Sequence, residues 1–253
     1  MNIMKISKNI LTAAALIITA VGLSSCYVRI SKEQKAMFKN DLSYIDSQLD
    51  KDTVTFEVGE FESFSQERSL DNITFIQTDG EYKVEIAAYS QSVDSVFVHN
   101  NDGTLRIGVN GEKSALGPIY AWVYAPSIKE IQTVGAGDLI IDGYTGESLN
   151  LTSTGSGDIK GFNIDLSGTL MVSVAGSGDQ DFRDVTAAEL VINKAGSADG
   201  CYSEINVGKL SVTSAGSGDT QFLGEAGSAT FSKKGSGEID TSHLKVQDIS
   251  VEN

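Results

Sequence analysis

The sequence predicts an all-β fold, a solenoid of stacked coils with about 20 residues in each coil. Three observations predict this class. A glycine-rich corner motif recurs at a fixed spacing, alternating apolar residues return at fixed offsets from it, and turn residues separate further alternating runs upstream. A fixed period of this length is typical of structural repeats that bury their faces against their neighbours.

The corner motif is Gly-Ser-Gly-Asp or a close variant, and it occurs six times in the second half of the chain. Its first glycines are separated by 20, 21, 20, 20 and 19 residues. Glycine adopts positive φ without steric cost, which suits a corner that redirects a strand within a few residues. Ser and Asp can hydrogen-bond to nearby backbone groups at such corners. The six copies are residues 135–138, 155–158, 176–179, 196–199, 216–219 and 235–238.

Apolar residues alternate with period two on both sides of the corners, which indicates short strands with one face inward. The spacing predicts three such strands per coil, with a tight corner between the first two. A helical repeat is excluded by the alternation and by the frequent glycines. The predicted inward residues are Leu149/Leu151, Leu170/Val172, Leu190/Ile192, Leu210/Val212 and Ala229/Phe231 before the corners, and Ile141, Phe182, Tyr202, Phe222, Ile164/Leu166, Val185/Ala187, Ile205/Val207 and Leu244/Val246 after them.

The acidic residue that ends each motif has two interpretations. Stacking places these residues in a column at the strand spacing of about 4.8 Å. Under the structural interpretation, the carboxylates accept hydrogen bonds from the backbone. Under the other, they form a calcium ladder, because Ca²⁺ prefers carboxylate and carbonyl oxygens. The period and spacing differ from those of the calcium-binding nonapeptide solenoid, and we assign no metal ligand and no cofactor. The column contains Asp138, Asp158, Asp179, Asp199, Asp219 and Glu238.

The amino terminus has the pattern of a secretory signal, with Lys5 and Lys8 followed by an apolar run over residues 10–21. This run is too short for a stable membrane span. The segment 23–26, Leu-Ser-Ser-Cys, resembles a bacterial lipobox. The resemblance implies that residues 1–25 are removed and that Cys26 carries lipid and anchors the protein in a membrane. The alternative is an ordinary cleaved signal with an incidental cysteine.

Residues 26–52 are predicted to link the lipid anchor to the solenoid, which spans residues 53–253. Phe38, Leu42, Ile45 and Leu49 lie at helical spacing, which predicts a short amphipathic helix within residues 31–50. A flexible tether is the alternative. Lipidation of Cys26 would leave Cys201 as a lone, outward-facing cysteine with no internal disulfide.

Residues 53–128 contain alternating strands without the glycine corner, and we interpret them as less regular coils continuous with the later ones. Tyr120, Trp122 and Tyr124 form an alternating aromatic row within this region. Aromatic rows often bind sugar rings, whereas packing against neighbouring strands is the alternative.

The ordered combination of segments 53–58, 79–86, 102–107 and 125–128, followed by repeated Gly-Ser-Gly-Asp, resembles the auto-transporter adhesin head GIN domain family. The resemblance covers about residues 53–253. It implies a right-handed parallel β-helix in the envelope of Bacteroidetes-type bacteria, with an adhesin-like role. Val28 replaces the aspartate that retains some lipoproteins at the inner membrane, so the lipobox resemblance implies the outer membrane, on its cell-surface or periplasmic face.

Charge and the scarcity of catalytic residue types exclude several classes of function. The formal net charge of −15 disfavours nucleic acid, anionic lipid surfaces and polyanionic glycans as partners. Lys194, Lys233 and Lys234 form no evident pair with the acidic column, and His99 and His243 have no Ser or Cys partner at a familiar catalytic spacing. We therefore assign no catalytic residue.

Three functional hypotheses follow. The first is a lipid-anchored, non-enzymatic, adhesin-like module of the cell envelope that binds a glycan or protein ligand. The second is a structural or regulatory periplasmic protein. The third is a carbohydrate-active β-helix enzyme, which would need a groove with a calcium site and a cationic catalytic residue.

Overall fold

The computed structural model describes residues 51–67, 70–111 and 117–252, which form sixteen strands and one short helix. The predicted signal sequence, Cys26 and the predicted amphipathic helix lie outside these residues. The elements in chain order are β1 (Lys51–Glu57), β2 (Ser63–Gln66), β3 (Asn72–Gln77), β4 (Lys83–Tyr89), α1 (Ser90–Val93), β5 (Val96–Asn101), β6 (Thr104–Val109), β7 (Ile119–Ala125), β8 (Glu130–Gly135), β9 (Asp138–Gly146), β10 (Leu149–Gly155), β11 (Ile159–Leu166), β12 (Thr169–Gly176), β13 (Gln180–Gly196), β14 (Gly200–Gly216), β15 (Thr220–Gly235) and β16 (Ile239–Glu252).

The strands form the predicted parallel solenoid with a repeat of about 20 residues. One row of stacked strands contains β7, β3, β9, β11 and the beginnings of β13 to β16. A second row contains β6, β2, β8, β10, β12 and the ends of β13 to β16. The first glycines of the motif align from coil to coil, as in the pairs Gly155–Gly176 and Gly196–Gly216. The period of about 20 residues in the sequence therefore equals the offset between residues that pair in adjacent coils.

The amino-terminal end departs from the expected continuous coils. Strands β2, β3, β6 and β7 stack in parallel, but β4 is antiparallel to β7, β1 is antiparallel to β4, and β5 is antiparallel to β6. The coil of β6 and β7 also lies outside that of β2 and β3, because β3 pairs with β7 on one side and β9 on the other. The interpretation of this region as less regular coils continuous with the later ones therefore holds for β2, β3, β6 and β7. It was wrong for β1, β4 and β5, which pair antiparallel.

A tight hairpin explains part of this reversal. Asn101 of β5 pairs with Thr104 of β6, and the two residues between them, Asp102 and Gly103, have φ of 50° and 77°. Positive φ at both central residues is the geometry of a type I′ turn, which favours Asp-Gly and brings two strands into antiparallel contact. The Asp-Gly pair is thus a specific hairpin signal in the sequence.

The interior is a continuous stack of apolar side chains in which the predicted inward residues before the corners are buried. Phe182, Tyr202 and Phe222 stack with ring centroids 5.2 Å apart at each step. Gly161 occupies the same column one coil earlier, where a Cβ would lie 2.5 Å from the Phe182 ring. The missing side chain makes room for the aromatic stack. Leu244 and Val246, in the last coil, are only partly buried.

A second column of corners lies between the second and third strand segments of each coil. Its residues have positive φ, and three of them carry side chains: Asn163 at 53°, Asp184 at 57° and Glu204 at 55°. Gly143, with φ of 81°, holds the same place in the coil before Asn163. The left-handed conformation lets the strand bend without leaving the ladder. A 20-residue spacing of Gly, Asn and Asp was the sequence signal for it.

Among the residues that the structure describes, no helix is long and apolar enough to span a membrane.

Candidate functional site

The acidic column fastens adjacent corners through backbone hydrogen bonds. Each aspartate of the column uses Oδ1 to accept a hydrogen bond from the backbone N–H of the acidic residue in the next coil. This arrangement is the one expected under the structural interpretation of the motif. The N–H groups of Asp158, Asp179, Asp199, Asp219 and Glu238 donate to Asp138, Asp158, Asp179, Asp199 and Asp219 over 3.0, 2.9, 2.8, 2.8 and 2.8 Å, respectively.

The geometry of the column does not favour a calcium ladder. Within the described residues, no group of three or more His, Cys, Asp or Glu side chains is arranged to hold a metal ion. At one end of the column, the ammonium of Lys160 lies 3.2 Å from Oδ2 of Asp138 and 3.3 Å from Oδ2 of Asp158. Burial lowers the pKa of Lys160, but these two carboxylates outweigh it and the net direction is upward. A lysine therefore occupies the position between carboxylates where a cation would bind.

Close packing between coils requires a small residue at the third position of the motif. A Cβ on Gly157 would lie 2.1 Å from the carbonyl oxygen of Gly137, and a Cβ on Gly178 would lie 1.9 Å from that of Gly157. Ala198 holds this position in one coil and is fully buried. The first glycine of each copy has φ between 109° and 145°, a conformation that side chains rarely adopt. Backbone conformation and close packing therefore explain both glycines of the motif without a ligand.

Lys194 is a buried cation that the sequence analysis did not anticipate. Its side chain is 3% exposed, and its Nζ donates to the carbonyl oxygens of Gly218 and Asp219, each at 2.8 Å, and to Oγ1 of Thr220 at 2.5 Å. Burial lowers the pKa of Lys194, and Asp199, Asp219 and Asp179 oppose this shift. Lys194 therefore pairs mainly with backbone carbonyls at the next corner. The signal for it was a lysine at an inward position of the alternating pattern.

A groove runs beside the acidic column and has a volume of about 560 Å³. Its lining carries seven carboxylates and two basic side chains, Lys160 and Arg183. Arg183 makes two hydrogen bonds to Asp181, of 3.0 and 2.7 Å. The groove is thus strongly acidic, and neither base is a free catalytic cation. It lacks the arrangement that a polyuronate-cleaving enzyme would need.

Cys201 faces outward as expected, is half-buried and lines this groove. The structure has Cys201 in a disulfide, whereas lipidation of Cys26 would leave it as a lone cysteine. The chain contains two cysteines. A sulfur that carries lipid through a thioether cannot also form a disulfide, so lipidation of Cys26 and an intramolecular disulfide exclude each other.

The two histidines are separated in the structure and both are exposed. His99 stacks on Phe97 with centroids 5.4 Å apart. His243 does contact a serine, contrary to expectation, because Oγ of Ser242 lies 2.9 Å from its Nδ1. This contact joins sequence neighbours on an exposed segment. It is not a nucleophile and base enclosed in a cleft, so it gives no support for catalysis.

The aromatic row of Tyr120, Trp122 and Tyr124 faces outward on β7, and all three side chains are half-buried. Strands β3 and β4 flank the row on its two sides. Thr74 and Glu85 lie opposite Trp122 in the register of these pairs. The row is therefore not part of the core, and cross-strand neighbours cover it only in part.

Polar contacts fix one end of the row. The hydroxyl of Tyr124 donates to Oε2 of Glu85 over 2.8 Å, and the ammonium of Lys83 lies 4.5 Å from the centre of the Tyr124 ring. Lys83 also pairs with Glu81 at 3.2 Å and Glu85 at 3.1 Å. Burial, followed by the bond to Glu85, raises the pKa of Tyr124 to about 12. The ring is held rigidly, with its hydroxyl protonated at neutral pH.

Comparison with known proteins decides the family. The family described as "Putative auto-transporter adhesin, head GIN domain" matches residues 66–201 and 171–253. The chain belongs to the head GIN domain family. This membership confirms the resemblance inferred from the ordered segments and the repeated corner motif.

Several solved structures share the fold of this head GIN domain protein. A "putative adhesin" from Bacteroides fragilis is 20% identical, with a TM-score of 0.57 over 80% of this chain and 97% of its own. A "putative lipid binding protein" from Parabacteroides distasonis is 20% identical, with a TM-score of 0.59 over 80% and 92%. A "putative adhesin" from Parabacteroides merdae is 17% identical, with a TM-score of 0.51 over 79% and 76%. No curated protein matches the chain.

Proposed function

We propose that this head GIN domain protein is a lipid-anchored, non-enzymatic binding module of the outer membrane, with its solenoid exposed at the cell surface. The observation that carries the binding role is the outer face of the first strand row. It is rigid, hydrogen-bonded from coil to coil, and combines an aromatic row at one end with an acidic groove at the other. Family membership supports an adhesin-like role.

The anchoring half of the proposal depends on the sequence 23–26, Leu-Ser-Ser-Cys, which matches a lipobox. Lipid on Cys26 would place the solenoid after a linker of about 25 residues. The acidic charge would keep the solenoid away from anionic lipid headgroups. Such a linker suits presentation of a binding surface above a membrane.

Binding of a lipid inside the solenoid is a different role, suggested by the name of the Parabacteroides distasonis relative. The interior of the described coils is filled by side chains, and the aromatic stack passes through its centre. The groove beside the acidic column carries carboxylates. Neither feature suits an acyl chain or an anionic headgroup, so we favour adhesion.

Protease shaving of intact cells tests exposure at the surface. Cleavage of the solenoid in intact cells, with a periplasmic protein left uncut, is the expected result. Protection until the outer membrane is permeabilised would overturn surface adhesion and favour the periplasmic structural or regulatory alternative.

Mass spectrometry of the purified protein tests the anchor separately. We expect a mature amino terminus at Cys26 with added acyl mass, which is lost in the Cys26→Ser variant. A peptide pair linked through Cys26 and Cys201 in the wild-type protein would contradict the lipid anchor, because the same sulfur is needed for both bonds.

A further inference from the structure

The aromatic row on β7 has groups available for a ligand. Trp122 is half-buried, and its indole N–H has no acceptor among the described residues. The side chains of Asn72 and Thr74, opposite Tyr120 and Trp122 on β3, make no hydrogen bond within the described residues either. The surface therefore offers both aromatic area and unused polar groups, side by side on rigid strands.

The charges around the row define which ligand it can accept. Lys83 is the basic residue of the flanking strands β3 and β4, and Glu81 and Glu85 already bind it. No free cation is therefore left on these strands to bind a sulfate, phosphate or carboxylate. The chain as a whole has a net charge of −15, which adds repulsion for any polyanion. Charge thus disfavours an anionic ligand and is compatible with an uncharged one.

Geometry favours a ligand with repeating units. Side chains at alternate positions of a strand are about 6.6 Å apart, so Tyr120, Trp122 and Tyr124 extend over about 13 Å. An uncharged sugar chain has apolar C–H faces that pack on aromatic rings and hydroxyl groups that hydrogen-bond to amides, hydroxyls and carboxylates. Binding sites for such ligands are lined by aromatic groups with a few placed polar groups.

We propose that the row formed by Tyr120, Trp122 and Tyr124 is the binding site for a neutral glycan, with polar contacts from Asn72, Thr74 and Glu85. The proposal rests on the binding role proposed above and names the site and ligand class for it. Trp122 lies at the centre of the row and is the principal stacking residue. A basic peptide that binds through cation–π contacts is the competing occupant.

Titration of the full-length protein, in a detergent without a sugar headgroup, tests the site. The probes are the hexasaccharides of mannose, glucose and N-acetylglucosamine, with a heparin hexasaccharide and hexalysine as charged comparators. The chain contains a single tryptophan. A bound neutral sugar should therefore change the emission of Trp122 and protect it from acrylamide quenching.

Calorimetric measurement of the affinity of variants for the neutral sugars tests whether the sugars bind at the aromatic row. Trp122→Thr keeps a strand-forming residue and should weaken neutral-sugar binding by about tenfold or more, as for loss of a central aromatic anchor. Trp122→Phe should restore part of the affinity. Phe162→Ala removes another outward aromatic side chain, three strands away on β11, and should leave binding unchanged.

Three results would overturn the glycan site. They are the absence of binding by every neutral hexasaccharide, retained affinity in a folded Trp122→Thr variant, and selective binding of heparin or hexalysine. Each can occur while shaving still places the solenoid at the cell surface. Failure of the glycan site is therefore distinguishable from failure of the proposed adhesin role.

Discussion

The ammonium of Lys194 lies 2.5 Å from the hydroxyl oxygen of Thr220, and this contact links two successive corners of the solenoid. Gly200, which stacks on Thr220 in the ladder, has no room for a side chain, because a Cβ there would lie 2.9 Å from Cγ2 of Thr220. A buried ammonium is favourable only when acceptors surround it. Lys194 satisfies this condition with two carbonyls and one hydroxyl.

Replacing Lys194 with Met should destabilise the protein. The change keeps the apolar stem but leaves the buried carbonyl oxygen of Gly218 without this donor, whereas the Asp219 carbonyl keeps its hydrogen bond from the N–H of Gly200. Each unsatisfied buried group costs about 1–3 kcal/mol, while removal of the desolvated charge offsets part of this cost. We expect a net loss of about 2 kcal/mol in the free energy of unfolding, measured with urea. The exposed control, Lys234→Met, should change it by less than about 0.5 kcal/mol. Equal stability of the two variants would contradict the structural role of Lys194.

The acidic column gives a second prediction, at Asp199. Asp199→Ala removes the acceptor for the backbone N–H of Asp219 and should lower stability by about 1 kcal/mol. Asp199→Asn retains a side-chain oxygen and should have the smaller effect. Asp165→Ala is an exposed acidic control outside the column. Addition of Ca²⁺ should not raise the melting temperature, and a large rise that Asp199→Asn abolishes would restore the calcium interpretation.

Packing at the corners predicts that Gly157→Ala is poorly tolerated. Its new Cβ would lie 2.1 Å from the carbonyl oxygen of Gly137, so the coils would have to separate. Overpacking of this kind costs about 1–3 kcal/mol. The reverse change at the equivalent position, Ala198→Gly, introduces no clash and should cost about 1 kcal/mol, through backbone entropy and the loss of one buried methyl group. Thermal unfolding of both variants measures the difference. A Gly157→Ala protein as stable as wild type would show that the corner has more freedom than its geometry allows.

The pKa of Tyr124 gives a prediction about alkaline pH. The folded-state pKa is about 12, whereas an unfolded tyrosine ionises near pH 10. Between these values the folded state holds a proton that the unfolded state has lost, so stability falls as pH rises from about 10 to 12. The Tyr124→Phe variant should lack this contribution to the fall in stability at alkaline pH. Ultraviolet titration of the folded proteins should show that the variant lacks a tyrosine step near pH 12. Loss of a step near pH 10 would contradict the assigned environment.

The sequence determined the repeating part of the solenoid. The 20-residue period, the inward ladders and the corner glycines all follow from local rules, because alternation defines a strand face and glycine permits the corner. The same period predicts that the acidic residues of the motif stack in a column, although it does not predict their hydrogen bonds. Family membership was also readable, because the ordered segments before the corners are specific as a set.

Only the tertiary structure decided how the amino-terminal end closes and what the inward Lys194 contacts. The placement of β7 between β3 and β4 depends on pairing between distant strands, which no local pattern encodes. The acceptors of Lys194 lie 24 to 26 residues away and are partly backbone carbonyls, which have no sequence signature. The outward direction of Tyr120, Trp122 and Tyr124 was likewise open, because a strand pattern defines two faces but not which one meets the core. Local chemistry therefore determined the repeat, and long-range packing determined the amino-terminal end, the buried cation and the outward-facing, half-buried aromatic row.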